Sequence, residues 1–329
     1  MVVMSSHLLT AAGVCLALTM ALQAQAPATP EAKAVAFLAK EVSATPAAAG
    51  CASCHHNGDA ARALFMAGAR GHDTTEAVKG TLAFLNAPAA WNANKTHHGD
   101  ADLGLARLQF AAALAAAGEK DLNPSPALVE AAKLLIADQK ADGSWVPTDA
   151  TGPGTPTAYG ATLATWVARN TLIASGRQPD DFSVAQTDRW LRTVEVTNVF
   201  DAAGVLLGLG VTADVMADKQ RAASLGTIRR AHQESGGWGP AADSPATAFD
   251  TSVVLLALQQ LESDPRLARS TYRAEELKEA IAKGRTYLVA QQKSDGSWPE
   301  TVRAGGKPSS ANLLSTTGWA LVALLGGPK

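Results

Sequence analysis

Three segments of the chain repeat one pattern: LLIADQKADGSW at 134–145, IRRAHQESGGW at 228–238 and YLVAQQKSDGSW at 287–298. Each ends a helical stretch with Gln and continues through a short polar turn to Gly and Trp. A polar loop follows each Trp, and after it comes a helix that is apolar on nearly every side. Repetition on this scale predicts a chain built from stacked helical units.

The helices before and after each Trp differ in character. Before the third Trp, in AEELKEAIAKGRTYLVAQQ, the residues Leu277, Ile281, Gly284 and Leu288 share one stripe with Lys, Glu and Arg opposite, which indicates a half-buried helix. The helices that follow a Trp have no polar face; they are TAYGATLATWVA at 157–168, TSVVLLAL at 251–258 and NLLSTTGWALVALL at 312–325. Each unit therefore predicts one outer and one buried inner helix.

Weaker copies of the pattern complete six pairs. They lie at 31–69, with an inner helix from Asp59, at 77–118, with an outer helix that reaches Trp91, and at 187–210, and no strand is needed anywhere. Six pairs of outer and inner helices can close into an α6/α6 toroid, which accounts for a single domain of this length. We expect a signal peptide at 1–28, a first helical pair at 29–73, and the remaining toroid at 74–329, with the last two forming one domain.

The stretches Gln139 to Trp145 and Gln292 to Trp298, with the shorter Gln233 to Trp238, resemble the QW repeat of squalene-hopene cyclases and the related protein prenyltransferases. The preceding KGRTYL of the third copy also fits that family. The resemblance covers about residues 75–326 and implies a terpenoid cyclase or prenyltransferase-like barrel. In such a repeat, Gly permits the tight turn and Trp supplies an apolar face and one N–H donor. The repeat is architectural, so it implies the fold rather than the function.

The catalytic motif of those cyclases is incomplete in this sequence. They protonate their substrate with the central Asp of D-x-D-D-T-A at the start of an inner helix. In TAFDTSVVLLAL at 247–258, Phe249 stands where that Asp would be, and Phe cannot donate a proton. We interpret the remaining Asp250 as a charge at the helix N-terminus, and keep it as the candidate catalytic residue. The zinc-dependent prenyltransferases need a Cys ligand, and the chain has no Cys after residue 54.

A second motif lies in AAGCASCHHNGDAARALF at 48–65, where Cys51, Cys54 and His55 spell C-x-x-C-H. Two thiols at this spacing can form thioethers with the two vinyl groups of one haem, while the adjacent imidazole becomes the proximal iron ligand. The motif therefore predicts haem c, with His55 as the proximal ligand. Two alternatives stay open: a disulfide between the two cysteines, or zinc or another metal held by them with two of His55, His56, His97 and His98.

The motif takes the place, in the first repeat, of the turn that carries G-x-W in later repeats. WNANKTHHGD at 91–100 is the corresponding turn of the second repeat. We therefore expect His97 and His98 beside His55, as candidate distal ligands of the iron. Met66 follows His55 by eleven residues, about 16 Å along a helix at 1.5 Å per residue, and should point elsewhere.

The N-terminal segment predicts export. An apolar run from Leu8 to Leu22 precedes small residues at Ala24, Ala26 and Ala28, as in a signal peptide. The run is short of the ~20 residues that span a bilayer. A periplasmic or secreted location suits haem c, and the mature chain would keep only the cysteines of C-x-x-C-H. A net charge of −2 without a basic stripe argues against nucleic-acid binding, and nothing indicates membrane contact.

The sequence thus predicts an exported toroid with one c-type haem at its mouth, serving electron transfer or haem redox chemistry. Its partner would be a redox protein, or a small molecule in the cavity. One alternative is a non-enzymatic scaffold with a structural disulfide or metal at C-x-x-C-H. Another is a terpenoid cyclase-like enzyme without the usual acid, although an aromatic content of 5% predicts few rings for a cation-stabilising pocket. Its candidate acids are Asp250, Asp201 and Tyr159.

Overall fold

A computed structural model describes residues 28–45, 52–93, 100–121, 123–147, 152–210, 214–262 and 271–326. These residues contain α-helices and no strand. The helices are α1 Pro30–Ala44, α2 Ala61–Ala69, α3 Thr75–Leu85, α4 Asp100–Ala117, α5 Pro126–Asp138, α6 Gly160–Ala174, α7 Phe182–Thr193, α8 Val199–Leu209, α9 Val215–Arg230, α10 Ala248–Glu262, α11 Ala274–Gln291 and α12 Ser310–Leu324. A π-helical segment, Cys54–Ala60, leads into α2, and a 3₁₀ segment, Pro88–Ala93, follows α3.

Several helices begin at a side chain that accepts a hydrogen bond from the first turn. These N-cap residues are Thr29, Ser125, Asn198, Asp214 and Ser309, before α1, α5, α8, α9 and α12. Such a cap satisfies a backbone N–H that has no partner within the helix. In α1 and α5 the first helical residue is Pro, whose fixed φ suits that position.

The even-numbered helices form a closed inner ring. Each contacts the next even-numbered helix along the chain, and α12 contacts α2 to complete the circle. Most odd-numbered helices pack outside, against the inner helix that precedes them: α5 on α4, α7 on α6, α9 on α8, α11 on α10, and α1 on α12. The predicted all-α toroid of six helical pairs is therefore confirmed. Among the described residues, no helix is both long and apolar enough to cross a membrane.

Burial follows the predicted division between inner and outer helices. Every residue of α10 from Ala248 to Leu258 is buried. In the outer helix α11, burial is confined to one face, made of Leu277, Ala280, Ile281, Gly284, Tyr287 and Leu288. That face contains the stripe read from the sequence, so the hydrophobic core lies between the inner and outer rings.

The Trp residues of the three repeated turns join the outer helix of a pair to its inner helix. The indole N–H groups of Trp145, Trp238 and Trp298 donate to the carbonyl oxygens of Leu135, Ile228 and Leu288, at 2.7 to 3.0 Å. The backbone N–H groups of the same residues donate to the hydroxyls of Thr165, Thr251 and Thr317 on the inner helices. One Trp therefore fixes both helices of its pair.

The Gln and Gly of the same turns reach the neighbouring pair. Gln139 donates to the carbonyl of Ser183 on α7, and Gln292 donates to the carbonyl of Pro30 on α1. Gly296 has a φ of 93°, and a Cβ there would overlap the Lys33 carbonyl oxygen. Only glycine can meet both requirements, so the last turn packs on the first helix and closes the ring.

One outer helix and one inner helix have a different end or start than the sequence predicts. The outer helix of the second pair, predicted to continue to Trp91, ends at Leu85. Pro88 has no backbone N–H for a continuing α-helix, and the chain turns into the 3₁₀ segment instead. The inner helix predicted from residue 157 begins at Gly160, because Tyr159 has a φ of 59°.

Candidate functional site

The C-x-x-C-H motif enters the inner ring of the first pair. Cys54 and His55 are the first two residues of the π-helical segment, and the Ser53 side chain caps it by accepting from the His56 N–H at 3.4 Å. The inner helix was predicted to start at Asp59, but the helical segment begins five residues earlier, at Cys54. Cys54 and His55 therefore belong to the helix rather than to the turn. Cys51, His97, His98 and the signal peptide up to residue 27 lie outside the described residues, so what we expect of them stays a prediction.

Contacts on two sides hold this π-helical segment in place. The Asn57 side chain accepts from the Ser53 N–H at 2.9 Å and donates to the Thr81 hydroxyl at 2.8 Å. Gly58 packs against α4, where a Cβ would lie 2.7 Å from Cβ of Gln109. A π-helical turn is a common feature of functional sites, and here it sets the direction of the side chains that follow.

His55 is tied to the last inner helix by a hydrogen bond. Its Nδ1 lies 3.0 Å from Oγ of Ser315 on α12, and which group donates depends on the imidazole tautomer. We assign the proton to Nδ1, which then donates to the serine oxygen and leaves the lone pair on Nε2. Ser315 also lowers the pKa of the nearby Asp59 carboxyl group.

Asp59 is a carboxyl group inside the inner ring, with 3% of its surface exposed. The Tyr159 hydroxyl donates to its Oδ1, and Gln109 donates to its Oδ2 at 2.8 Å. Burial raises the pKa of Asp59 from 3.8 to about 6, although these hydrogen bonds and the nearby charge of Arg62 oppose the shift. The group can therefore exchange a proton close to neutral pH.

Tyr159 is the last residue before α6, and its backbone has a conformation that residues with a side chain rarely adopt. Its φ is 59° and its side chain is fully buried. Strain of this kind persists only where the surroundings enforce it, and it often marks a functional position. Burial, then the negative charge of Asp59, raise the pKa of Tyr159 well above its usual value, so the phenol stays protonated and acts as a hydrogen-bond donor.

Arg62 follows Asp59 by one helical turn and is 7% exposed. Its guanidinium carbon lies 4.7 Å from the ring centroid of Trp319 and 5.7 Å from that of Trp166. No described residue accepts a hydrogen bond from this guanidinium, and the Asp59 carboxyl group one turn away accepts from Tyr159 and Gln109 instead. Arg62 is thus a buried cation held by aromatic faces.

Aromatic rings concentrate around this cluster. Trp319 lies 5.5 Å from Tyr159, 6.0 Å from Trp166 and 5.9 Å from Phe249 between ring centroids. Phe200 is 5.5 Å from Phe249. The low aromatic content of the whole chain predicts few rings in the barrel, but the fold collects five of them in one place.

Asp250 occupies a different environment at the start of α10. It accepts from both terminal nitrogens of Arg303, at 2.7 Å each, and from the Thr247 hydroxyl at 2.7 Å. Its own backbone N–H donates back to Thr247 at 3.1 Å. Arg303 also donates to the carbonyl of Gly154. This geometry suits a helix-capping and cross-linking role, and the carboxylate has no open side towards a substrate.

The other candidate acid, Asp201, is separate from both clusters. It lies near the start of α8, where Asn198 donates to it at 2.6 Å and Thr162 at 3.2 Å. Burial raises the pKa of Asp201. Of the three acids named from the sequence, only Tyr159 belongs to the cluster around Asp59. In the part of the chain that the structure describes, no group of three or more His, Cys, Asp or Glu side chains could hold a metal ion.

Sequence reasoning missed Asp59, Arg62, Gln109 and Ser315 as site residues. Asp59 and Arg62 stand in NGDAARALF, inside a helix that pairing alone predicts to be buried. Charged residues are rarely buried without a specific role. That conflict between charge and expected burial was the available signal. Gln109 and Ser315 carry no comparable signal, because polar uncharged residues occur in several inner helices.

The fold is a terpenoid cyclase-like α/α toroid. No protein-family model and no curated protein sequence matches this chain. Among solved structures, it is similar to the type II terpene cyclase MstE from Scytonema, with 18% identity, a TM-score of 0.56, and coverage of 90% of this chain and 96% of that one. It is also similar to a possible member of the GH105 family from Salmonella enterica, with 11% identity, a TM-score of 0.55, and coverage of 92% and 95%.

A protein from Actinoplanes gives a similar result, with 16% identity, a TM-score of 0.54, and coverage of 89% of this chain and 98% of that one. At these identities the likeness shows the fold alone. The neighbours include proteins named for different activities, in agreement with the rule that one fold supports many functions. The function must therefore be argued from the site.

Proposed function

We propose that this protein is an exported c-type haem protein that serves electron transfer or haem redox chemistry. The observation that carries the proposal is the hydrogen bond between His55 Nδ1 and Ser315. A histidine that ligates a metal through one nitrogen usually donates its other N–H to a protein acceptor, which fixes the ring and its tautomer. His55 has such an arrangement, and it directly follows a cysteine in C-x-x-C-H.

The donor set described at the site fits haem c. Cys54 and His55 are adjacent, both are half-buried, and the assigned tautomer presents Nε2 for ligation. In this proposal Cys51 and Cys54 form the thioethers, His55 is the proximal ligand, and His97 or His98 is the distal ligand. A haem bound there supplies one-electron redox chemistry. The signal peptide at 1–28 and a periplasmic or secreted location belong to the same proposal.

The residues behind His55 connect it to a group that can exchange a proton. Ser315 bonds His55 and lowers the pKa of Asp59, and Asp59 accepts from the Tyr159 hydroxyl. When Asp59 is ionised, its negative charge attracts the serine proton and makes the serine oxygen a better acceptor for Nδ1–H. Ionised Asp59 therefore increases the basicity of His55 through one intervening hydroxyl, and protonation of Asp59 weakens that effect.

The test is expression of the full-length chain in a host with a haem c maturation system. We expect a reduced α-band in the visible spectrum, and a haem stain that survives denaturing electrophoresis. The double variant Cys51→Ser/Cys54→Ser should lose the covalent stain. His55→Ala should change the spectrum strongly, whereas His56→Ala is a matched control, because His56 Nδ1 bonds only the local Ser53 hydroxyl, at 3.1 Å, among the described side chains.

A colourless wild-type protein, from a host that matures another cytochrome c in the same experiment, contradicts the proposal. Thiol counting then separates the alternatives. A thiol count that rises only after reduction indicates a disulfide at C-x-x-C-H, and metal analysis identifies a bound ion. Either result would favour a binding scaffold.

A further inference from the structure

A large cavity lies inside the ring, between the C-terminal halves of the inner helices. Its volume is about 1010 Å³, at the upper end of the range for small-molecule sites. One end is lined by exposed residues, including Asp121, Asn123 and Gly326, and the other by the buried Arg62 and Trp166. We call these the open end and the inner end of the cavity.

Arg62 at the inner end has hydrogen-bond donors that no described residue uses. A guanidinium carries five N–H donors, and burying a charge without a hydrogen-bonded partner is costly. The two Trp faces offset part of this cost, but they are not acceptors for a planar fork. The donors therefore point to a ligand that brings its own acceptors into the cavity.

The remaining charges and walls define the ligand further. Arg62 is the one basic side chain among the described residues that line the cavity. Glu119, nearer the open end, is paired with Arg70 at 3.2 Å. The walls are largely apolar and contain Leu82, Leu114, Leu128, Ile173, Leu207 and Leu256. The cavity thus combines one buried positive charge with a long apolar surface.

We propose that the cavity binds an organic carboxylate with an apolar chain, its carboxylate at Arg62 and its chain along the leucine-rich wall. The planar guanidinium fork matches a carboxylate through two parallel hydrogen bonds. Arg62 also faces the nearby Asp59 carboxyl group, so a carboxylate monoanion adds the smallest unbalanced negative charge, and a phosphate dianion or a diphosphate would bury more of it without a partner. This ligand site is independent of the haem proposal and does not require Cys54 or His55.

The test compares three probes of equal chain length on the purified full chain: laurate, dodecan-1-ol and dodecyl phosphate. Calorimetry measures binding, and quenching of Trp fluorescence reports contact with Trp166. Laurate should bind on the order of 10- to 100-fold more tightly than dodecan-1-ol, because a hydrogen bond to a charged group contributes that much. Dodecyl phosphate at a pH where it is a dianion should bind more weakly than laurate.

Variants assign the preference to Arg62. Arg62→Met should reduce laurate affinity by on the order of 10- to 100-fold and leave dodecan-1-ol unchanged. Arg62→Lys keeps the charge, and its laurate affinity should lie between those of the wild type and Arg62→Met. Arg177→Met removes a half-exposed charge next to Gly176 at the open end and is the matched control; its laurate affinity should stay within about twofold.

The comparison of probes in the wild type needs no variant to fold. No laurate binding, equal affinity for laurate and dodecan-1-ol, or tighter binding of dodecyl phosphate would overturn the proposal. So would an Arg62→Met protein, folded by circular dichroism, that binds laurate like the wild type. Repeating the titration with the double cysteine variant separates this site from haem: laurate binding that persists there supports the cavity site whatever the haem result.

Discussion

Two buried aspartates of this toroid, Asp250 and Asp59, each have an arginine nearby, and the two pairs are arranged differently. Asp250 and Arg303 form a two-pronged salt bridge, with both nitrogen–oxygen distances at 2.7 Å. Asp59 and Arg62 are one helical turn apart, yet the carboxylate bonds Tyr159 and Gln109 while the guanidinium bonds no described residue. In the first pair each group is the hydrogen-bond partner of the other; in the second, the carboxyl group is bonded by other residues and the guanidinium has open donors.

The difference separates a structural role from a chemical one. A carboxylate whose oxygens are already paired with an arginine and a hydroxyl cross-links the segments around it. A carboxyl group whose pKa is raised by burial, beside a cation with open donors, is a candidate functional site. The residue that the cyclase resemblance selected, Asp250, is of the first kind, and Asp59 is of the second.

The largest expected effect comes from breaking the satisfied pair. Arg303→Met leaves the Asp250 carboxylate buried without its counter-ion, which should lower the free energy of unfolding by about 3 to 5 kcal/mol. Arg62→Met removes no hydrogen bond to a described residue and loses only the charge interaction with Asp59 and the contacts with two Trp rings, so its cost should be smaller, about 1 to 2 kcal/mol. Urea unfolding of the two variants at neutral pH measures the contrast. Equal losses would mean that the two arginines contribute alike.

The next effect is the pH dependence that Asp59 adds to stability. Its pKa is about 6 in the folded chain, against an ordinary value of 3.8. Stabilisation from a raised carboxyl pKa is fully present below the unfolded pKa and is lost as pH rises through the folded pKa. The free energy of unfolding of the wild type, minus that of Asp59→Asn, should therefore fall by about 3 kcal/mol between about pH 3.5 and about pH 7.

Urea unfolding of both proteins across this range gives that difference directly. Subtracting the variant removes the contributions of all other titrating groups that the two proteins share. A difference that stays flat, or that rises with pH, would contradict the raised pKa of Asp59.

A smaller effect is expected from the Tyr159 hydroxyl. Its hydrogen bond lowers the pKa of Asp59, so Tyr159→Phe should raise that pKa further and cost about 1 to 2 kcal/mol of stability at neutral pH. Tyr272→Phe is a matched control, because the buried Tyr272 hydroxyl has no hydrogen-bond partner in the part of the chain that the structure describes. Thermal and urea unfolding should show a loss of stability for Tyr159→Phe and none for Tyr272→Phe. The reverse result would contradict a hydrogen bond from Tyr159 to Asp59.

The fold could be predicted from the sequence because the information for each turn is local. Gln, Gly and Trp lie within seven residues in 139–145 and 292–298, and the helices on either side show their burial through periodicity. Helix ends were harder to predict where one residue overrides the pattern. Pro88 ends a helix within an apolar stretch, and Tyr159 has a left-handed backbone conformation that no local sequence pattern predicts.

The cluster around Asp59 could not be predicted because its members are far apart along the chain. Gln109 and Tyr159 are 50 and 100 residues from Asp59, and His55 is 260 residues from Ser315. They meet only because α12 closes the ring against the first pair. Motif reading found the residues that are adjacent in sequence, Cys54 and His55, and missed those joined by ring closure.

The central claim is that Asp59 is a buried carboxyl group that exchanges a proton close to neutral pH. Infrared titration of the C=O stretch of a buried protonated carboxyl tests this claim most directly, in the wild type, Asp59→Asn and Asp250→Asn. We predict a band that titrates with a midpoint of about 6, disappears in Asp59→Asn and persists in Asp250→Asn. A midpoint close to 3.8, or a band that survives Asp59→Asn, would contradict the account.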